Sequence, residues 1–259
     1  MVCKDVTQNL QKYNEKRWKK RMSLITAKGQ EAFDSATKKN LDLKKVYIRL
    51  KDGESVRVRI LQITEKTVGE FKAHGDFNKG IYTAPCIAPM GVECPYCVAA
   101  NSGVEDWDTF YARKRYLITF IDIDAQAVRV WDASKQQGEA MLKLLEEYKE
   151  STEDMAFTFK RTGAGASDTS YNLIPILKLN AEGKELFEQS GAIEIPENFF
   201  DSVLLPRTTE QMIANLKTAG FPVEDFFGEV KVDGNVDSEE EEEIGTEYEE
   251  IAESDIAHM

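Results

Sequence analysis

Four residues confined to one short window constrain this chain more than any other feature. His74, Cys86, Cys94 and Cys97 fall within 24 residues, while Cys3 stands alone near the start and His258 alone near the end. The spacing is His, eleven residues, Cys, seven residues, Cys, two residues, Cys. A Cys-x-x-Cys turn lets two thiolates grip one ion, and an imidazole and a third thiolate can complete a tetrahedron from the preceding loop. Three sulfurs and one nitrogen suit Zn²⁺ and fill its four positions, so the spacing predicts one structural zinc with no place for an activated water. Residues 72–101 also hold Gly75, Gly80, Gly91, Pro85, Pro89 and Pro95 and little apolar material. Such a loop needs a metal to hold it, and metal binding there is folding energy.

Other readings of the cysteines fit less well. Disulfide frameworks spread their cysteines along a secreted chain, whereas this clustering points to a reducing, cytosol-like compartment. A thioredoxin-like pair at Cys94-Pro95-Tyr96-Cys97 wants a βαβ setting, which the flanking sequence does not supply. A nucleobase deaminase wants His-x-Glu, but Gly75-Asp76 follows His74. Zinc nucleases and deaminases need an open coordination position, and there is no Gly-x-x-x-x-Gly-Lys-Ser/Thr loop for a motor. The expectation is a protein that is not an enzyme.

Charge is polarised along the chain. The net of −13 hides an acidic end: residues 233–259 carry twelve Asp/Glu and no Lys/Arg, and include Glu239 to Glu243 in an unbroken run. The other 232 residues hold 33 basic and 34 acidic groups, and residues 1–60 hold sixteen Lys/Arg against seven Asp/Glu. Such asymmetry suggests interaction arms. The expected organisation is a basic amino-terminal arm over 1–28, a body over 29–232 with a zinc subdomain at about 70–101, and a disordered acidic tail over 233–259. The densest positive run contains Lys16, Arg17, Lys19, Lys20 and Arg21. No window approaches the roughly 20 apolar residues of a membrane span, and no secretory h-region follows Met1.

The body reads as strands with added helices. Val46-Tyr47-Ile48-Arg49-Leu50 and Ser55 to Ile60 alternate about the turn Lys51-Asp52-Gly53-Glu54, which predicts a hairpin. Arg115 to Ile121 and Ala127 to Trp131 read as two more strands about a turn at 124–126. Ser134 caps a predicted helix to Glu150 with a Met141/Leu144/Leu145/Tyr148 stripe. Strands over 155–160 and 170–179 flank a loop at 163–168, and a short helix follows near 208–217. Hairpin linkage predicts a mainly β, α+β fold: an antiparallel, OB-fold-like barrel with a zinc-binding subdomain.

Single strands of nucleic acid expose phosphates and base faces together, so their binders interleave cations with aromatics on a sheet. This body does so. Tyr47 and Arg49 share a face. Arg57 and Arg59 alternate with apolar neighbours. Arg113, Lys114, Arg115 and Tyr116 run together after Trp107, Phe110 and Tyr111. Arg129 precedes Trp131, and Lys160 and Arg161 end a Phe-rich strand. Lys72, Tyr82 and Tyr96 lie in the Cys/His region. Apart from Trp107, Phe110 and Tyr111, which mark an aromatic cluster, these are the candidate DNA contacts, although any single aromatic reads more readily as core than as a stacking face.

Taken in order, the basic segment, the His74/Cys86/Cys94/Cys97 set in a strand-rich body and the acidic tail make the chain resemble the T-even type phage single-stranded DNA-binding, helix-destabilising replication proteins. The resemblance spans nearly the whole chain. It implies an OB-fold body, cooperative self-association along DNA through the arm, and a tail that recruits replication proteins. Lys20-Arg21-Met22-Ser23 looks like a loosened form of that family's Lys-Arg-Ser/Thr arm element. The resemblance also implies the cytoplasm of an infected bacterial host. The alternative reading is a zinc-containing replication or transcription accessory factor that acts mainly by protein contact.

Overall fold

The computed structural model describes residues 42–165 and 168–228. The basic run from Lys16 to Arg21 and the acidic tail lie outside the described residues. A short helix α1 (Leu43–Val46) leads to β1 (Ser55–Arg59), β2 (Val68–Asp76) and β3 (Ile81–Pro85). Helix α2 (Pro95–Ala100), β4 (Arg113–Asp122), β5 (Ala127–Ser134) and α3 (Lys135–Glu147) follow. The chain continues through β6 (Phe157–Thr162), β7 (Ser170–Pro175), α4 (Ala181–Ser190), α5 (Phe199–Val203), α6 (Thr209–Thr218) and α7 (Val223–Phe227).

Among the described residues these strands make one antiparallel sheet, ordered β3-β2-β4-β1-β6-β7, with β5 on the remaining edge of β4. The long strand β4 organises it. One edge takes β2 over 113–118 and then β1 at 121–122, and the other takes β5 over 115–122. Two successive strands sharing one edge, with a break at 60–67 between them, curl the sheet into a half barrel. The fold is α+β and compatible with an OB-like barrel.

Apolar alternation fills the inside of the curl. Val58, Ile118, Phe120, Trp131, Phe157, Phe159 and Leu173 form its core, closed by Met141 and Leu145 of α3. Fully burying each such side chain stabilises by roughly 1.5–3 kcal/mol. Helix α3 begins where Ser134 accepts from the Gln137 amide and Gln137 returns the bond, a reciprocal cap. It approaches β4 closely because residue 138 is glycine: a Cβ there would lie 2.5 Å from Tyr116 Cδ2.

The expected hairpin between 46–50 and 55–60 is corrected. Both edges of β1 are taken, by β4 and β6, so no edge is left for the preceding segment. Tyr47 instead makes an isolated parallel bridge to Val130, and Leu43–Val46 is helical. The alternation still has a cause, since Ile48 and Leu50 point into the core.

A second apolar cluster lies beside the Cys/His loop. Ile81, Ile87, Tyr96, Trp107 and Phe110 pack there with Met212, Leu216, Phe221 and Val223. The carboxy-terminal helices α6 and α7 thus share a core with the loop that a subdomain of about 70–101 would contain. Among the described residues no helix is long and apolar enough to cross a membrane.

Candidate metal centre and nucleic-acid interface

The hairpin of β2 and β3 brings His74 and Cys86 to one place. His74 lies on β2 opposite Ala84, and Cys86 follows β3 directly, its amide donating to the Lys72 carbonyl at 2.8 Å. A tight 3₁₀ turn at Ala88–Met90 ends at Gly91, whose φ of 76° suits a residue without a side chain. The chain then reaches Cys94, the N-cap of α2, with Pro95 in the first turn. One helical turn later Cys97 faces the same point.

The four ligand atoms all lie within 4.8 Å of one another. Cys86 and Cys97 Sγ are 3.5 Å apart, and His74 Nε2 is 3.3 Å from Cys97 Sγ and 3.8 Å from Cys94 Sγ. Sulfurs at ~2.3 Å and a nitrogen at ~2.0 Å from one centre would be separated by roughly 3.5–3.8 Å in a tetrahedron. The residues therefore fit a four-coordinate ion. His74 is also oriented for it. Its Nδ1–H donates to the Phe110 carbonyl at 2.9 Å, which turns Nε2 toward the sulfurs. Tyr96 and Phe110 rings wall the imidazole at 5.6 and 5.4 Å.

The thiols differ in acidity. Burial pushes Cys94 up, but its bond to His74 and backbone amides at Cys97 and Ile87 outweigh burial and bring it down to about 6. Burial raises Cys86 and also Cys97, where the neighbouring sulfurs add to the effect. Tyr96, on the same short helix, is fully buried, and its hydroxyl accepts from Arg207 Nη1 at 3.2 Å and Asn215 Nδ2 at 3.1 Å. The ligand loop is thereby tied to α6.

The candidate DNA contacts separate into three groups. The first lies at the end of the sheet formed by β2 and β4, where Lys114 is half-buried and Tyr116 packs against the core. Lys72 and Lys114 are directly opposed there, with Arg113 in the adjoining pair opposite Ala73. Lys72 and Arg113 are exposed. Lys114 meets Glu70 at 2.7 Å and lies 6.0 Å from the centre of the Tyr116 ring.

A second group is half-buried and engaged within the protein. Arg57 is held by Asp124 through two bonds, Arg115 Nε donates to Asp132 at 2.7 Å, and Arg129 Nη1 to Asp122 at 3.0 Å. Burial raises the Asp132 carboxyl above its ordinary value, against the pull of Arg115 and Arg49. Tyr47 donates its hydroxyl proton to the Val203 carbonyl at 3.0 Å, and Arg49 lies 5.2 Å over the Tyr47 ring. Tyr82 and Lys160 are half-buried on β3 and β6.

The third group is buried, which corrects the expectation that these side chains face solvent. Alternation does place Arg59 on the outer face of β1, but α4 and the 149–153 turn cover that face. Only 5% exposed, Arg59 donates to the carbonyls of Thr152 at 3.0 Å and Phe187 at 2.7 Å and to Ser190 Oγ at 3.0 Å. Its guanidinium stacks 3.8 Å over Phe187, and burial lowers its pKa. Arg161 is buried with a 3.0 Å bond to the Leu50 carbonyl, and Trp131 and Tyr96 are core residues.

One residue of this region was absent from the sequence-derived contacts. Tyr111 is 58% exposed, with the Arg113 guanidinium 5.4 Å from its ring centre. The two-residue spacing to Arg113 was its available signal. No protein-family model matches the chain, and no curated protein matches its sequence.

Proposed function

We propose that the chain is a sequence-independent single-stranded DNA-binding protein of phage DNA replication and recombination, with one structural Zn²⁺ at His74, Cys86, Cys94 and Cys97. The observation that carries this reading is the pairing of Lys72 with Lys114. Like charges directly opposite each other on a sheet are destabilising, and the adjoining Arg113 places a further cation on the other face of the same sheet end. Only Glu70 offsets them among the described residues' ion pairs. A site of this kind gains from a polyanion laid across it, and a phosphate backbone is one.

Zinc supplies no reaction here; bound, it holds the loop that carries β2, β3 and α2 together. The three-thiolate, one-imidazole donor set favours Zn²⁺ over harder ions. In this reading the segment over 1–28 supports contact between neighbouring proteins along DNA, with Lys16, Arg17, Lys19, Lys20 and Arg21 central. The acidic tail recruits replication proteins. Both lie outside the described residues and rest on sequence.

The test is binding of the full chain to dT oligomers, rU oligomers and duplex at several salt concentrations, with zinc measured on the same sample. Preference for single strands, a steep salt dependence and one zinc per chain are expected. Zinc-loaded protein without affinity for dT at low salt would overturn the reading in favour of a partner-binding accessory factor.

A further inference from the structure

We infer that Tyr111 and Arg113 form a base-stacking platform at the end of the sheet, and that the metal ligand His74 sets its position. The inference rests on the single-strand reading above and names a contact within it. Tyr111 is exposed over more than half its surface, yet its neighbour Phe110 is 1% exposed and anchored in the core beside Trp107. The Phe110 carbonyl accepts the Nδ1–H of His74 at 2.9 Å. The backbone that carries Tyr111 is therefore pinned on one side by the apolar cluster and on the other by a ligand of the metal centre. Arg113 opens β4 two residues later and lies 5.4 Å from the ring centre, so a cation and an aromatic face are presented together.

The ligand class is a nucleobase of an extended strand. A base has a π-face whatever its identity, which gives affinity without sequence preference. Arg113 supplies the cation for the adjoining phosphate, while Lys72 and Lys114, one residue along the ladder, project from the opposite face of the sheet end. A platform fixed before binding loses little conformational freedom when a base stacks on it. An exposed aromatic held in this way differs from the isolated apolar side chains that any surface carries.

The experiment uses the full, zinc-loaded chain and its Tyr111→Ala, Tyr111→Phe, Tyr111→Trp and Arg113→Gln variants, with zinc content and thermal midpoint checked for each. Binding to a dT oligomer is measured across salt concentrations. Tyr111→Ala should weaken binding about 5- to 150-fold with an unchanged log–log salt slope, and Tyr111→Phe should restore it. Arg113→Gln should reduce the slope by about 0.7, the signature of one lost phosphate contact. Tyr111→Trp should add a fluorescence signal that dT quenches beyond the change seen in the parent, which shares Trp18 and the buried Trp107 and Trp131. If the parent binds dT and Tyr111→Ala binds equally well, this inference falls and the single-strand reading stands. If the parent does not bind dT, both fall.

Discussion

The Nδ1–H of His74 and the Phe110 carbonyl, 2.9 Å apart, join the candidate metal centre to the aromatic cluster behind it. One bond selects the imidazole tautomer that can ligate through Nε2. It also spans two elements distant in sequence, since His74 belongs to β2 and Phe110 precedes β4. The metal loop is consequently part of the sheet's own support.

The acidity of the three thiols predicts the pH dependence of metal binding. Cys94, at about 6, is already a thiolate at pH 7.5, whereas Cys86 and Cys97 are raised and remain protonated. Metal binding must then displace at least two protons near pH 7.5, those of Cys86 and Cys97. Because protons compete for the ligand atoms, affinity falls as pH falls, by at least about 100-fold per unit above pH 6.5 and more steeply once Cys94 also protonates. Calorimetry of zinc binding in buffers of different ionisation enthalpy measures the proton count. A count near zero would mean that all three thiols are ionised before the metal arrives.

Arg59 should prove a folding residue. Its guanidinium satisfies two carbonyls and a hydroxyl under α4 and covers the Phe187 ring. Arg59→Ala removes those bonds and the packing of the stem, at a cost of about 2–4 kcal/mol. Arg59→Lys should recover only part, because one ammonium cannot span three acceptors as a planar fork does. Denaturant unfolding and the salt slope of dT binding are the two readouts. An unchanged unfolding midpoint with a flattened slope would return Arg59 to the interface.

The ligand set and the caps were legible in the sequence because their signals are local. Ser134 and Gln137 form the reciprocal cap three residues apart, and Thr208 and Gln211 repeat it on α6. The strands β4 and β5 announced themselves through β-branched and aromatic runs. Strand β2 did not, because Val68-Gly69-Glu70-Phe71-Lys72 sets three glycine or charged residues against two apolar ones that do not alternate, and its stability comes from pairing with β4. The exposure of Arg59 was misread for a related reason. Period two tells which side of a strand a residue takes, but a helix 120 residues later decides whether that side meets water. Tyr111 is marked in the sequence only by its two-residue spacing to Arg113, because exposure is a tertiary property and its neighbours Trp107 and Phe110 are core.

Gly138 and Tyr116 should behave as a coupled pair. A Cβ at 138 would meet Tyr116 Cδ2 at 2.5 Å and its Cβ and Cγ at 3.0 Å. Overpacking of this kind costs about 1–3 kcal/mol, partly offset by the roughly 1 kcal/mol that alanine gains over glycine in a helix. Gly138→Ala alone should therefore destabilise by about 1 kcal/mol. In a Tyr116→Ala background the ring is gone and only the 3.0 Å approach to Cβ remains, so the same change should be neutral or stabilise by up to about 0.5 kcal/mol. Equal effects in both backgrounds would show that α3 moves away from β4 freely.

Lys72 allows stability and binding to be driven in opposite directions. It stands directly opposite Lys114 on the β2–β4 ladder, and Lys114 is engaged by Glu70 while no carboxylate among the described residues pairs with Lys72. A like-charge pair across a ladder is unfavourable by some fraction of the roughly 0.2–1 kcal/mol that such pairs contribute. Lys72→Ala removes the repulsion together with a long exposed side chain. The unfolding midpoint should stay where it is or rise slightly. Affinity for a dT oligomer should nevertheless fall, and the log–log salt slope should shrink by about 0.7, because one phosphate loses its cation. Lys72→Arg should keep the slope and the unfavourable pairing. Stability is read from chemical unfolding without DNA, and the slope from binding isotherms at four or more salt concentrations. Only retention of the cation for an anionic ligand predicts that the two measurements part in this way. A variant that loses stability and keeps its full slope would make Lys72 a structural residue and move the phosphate path elsewhere on the sheet.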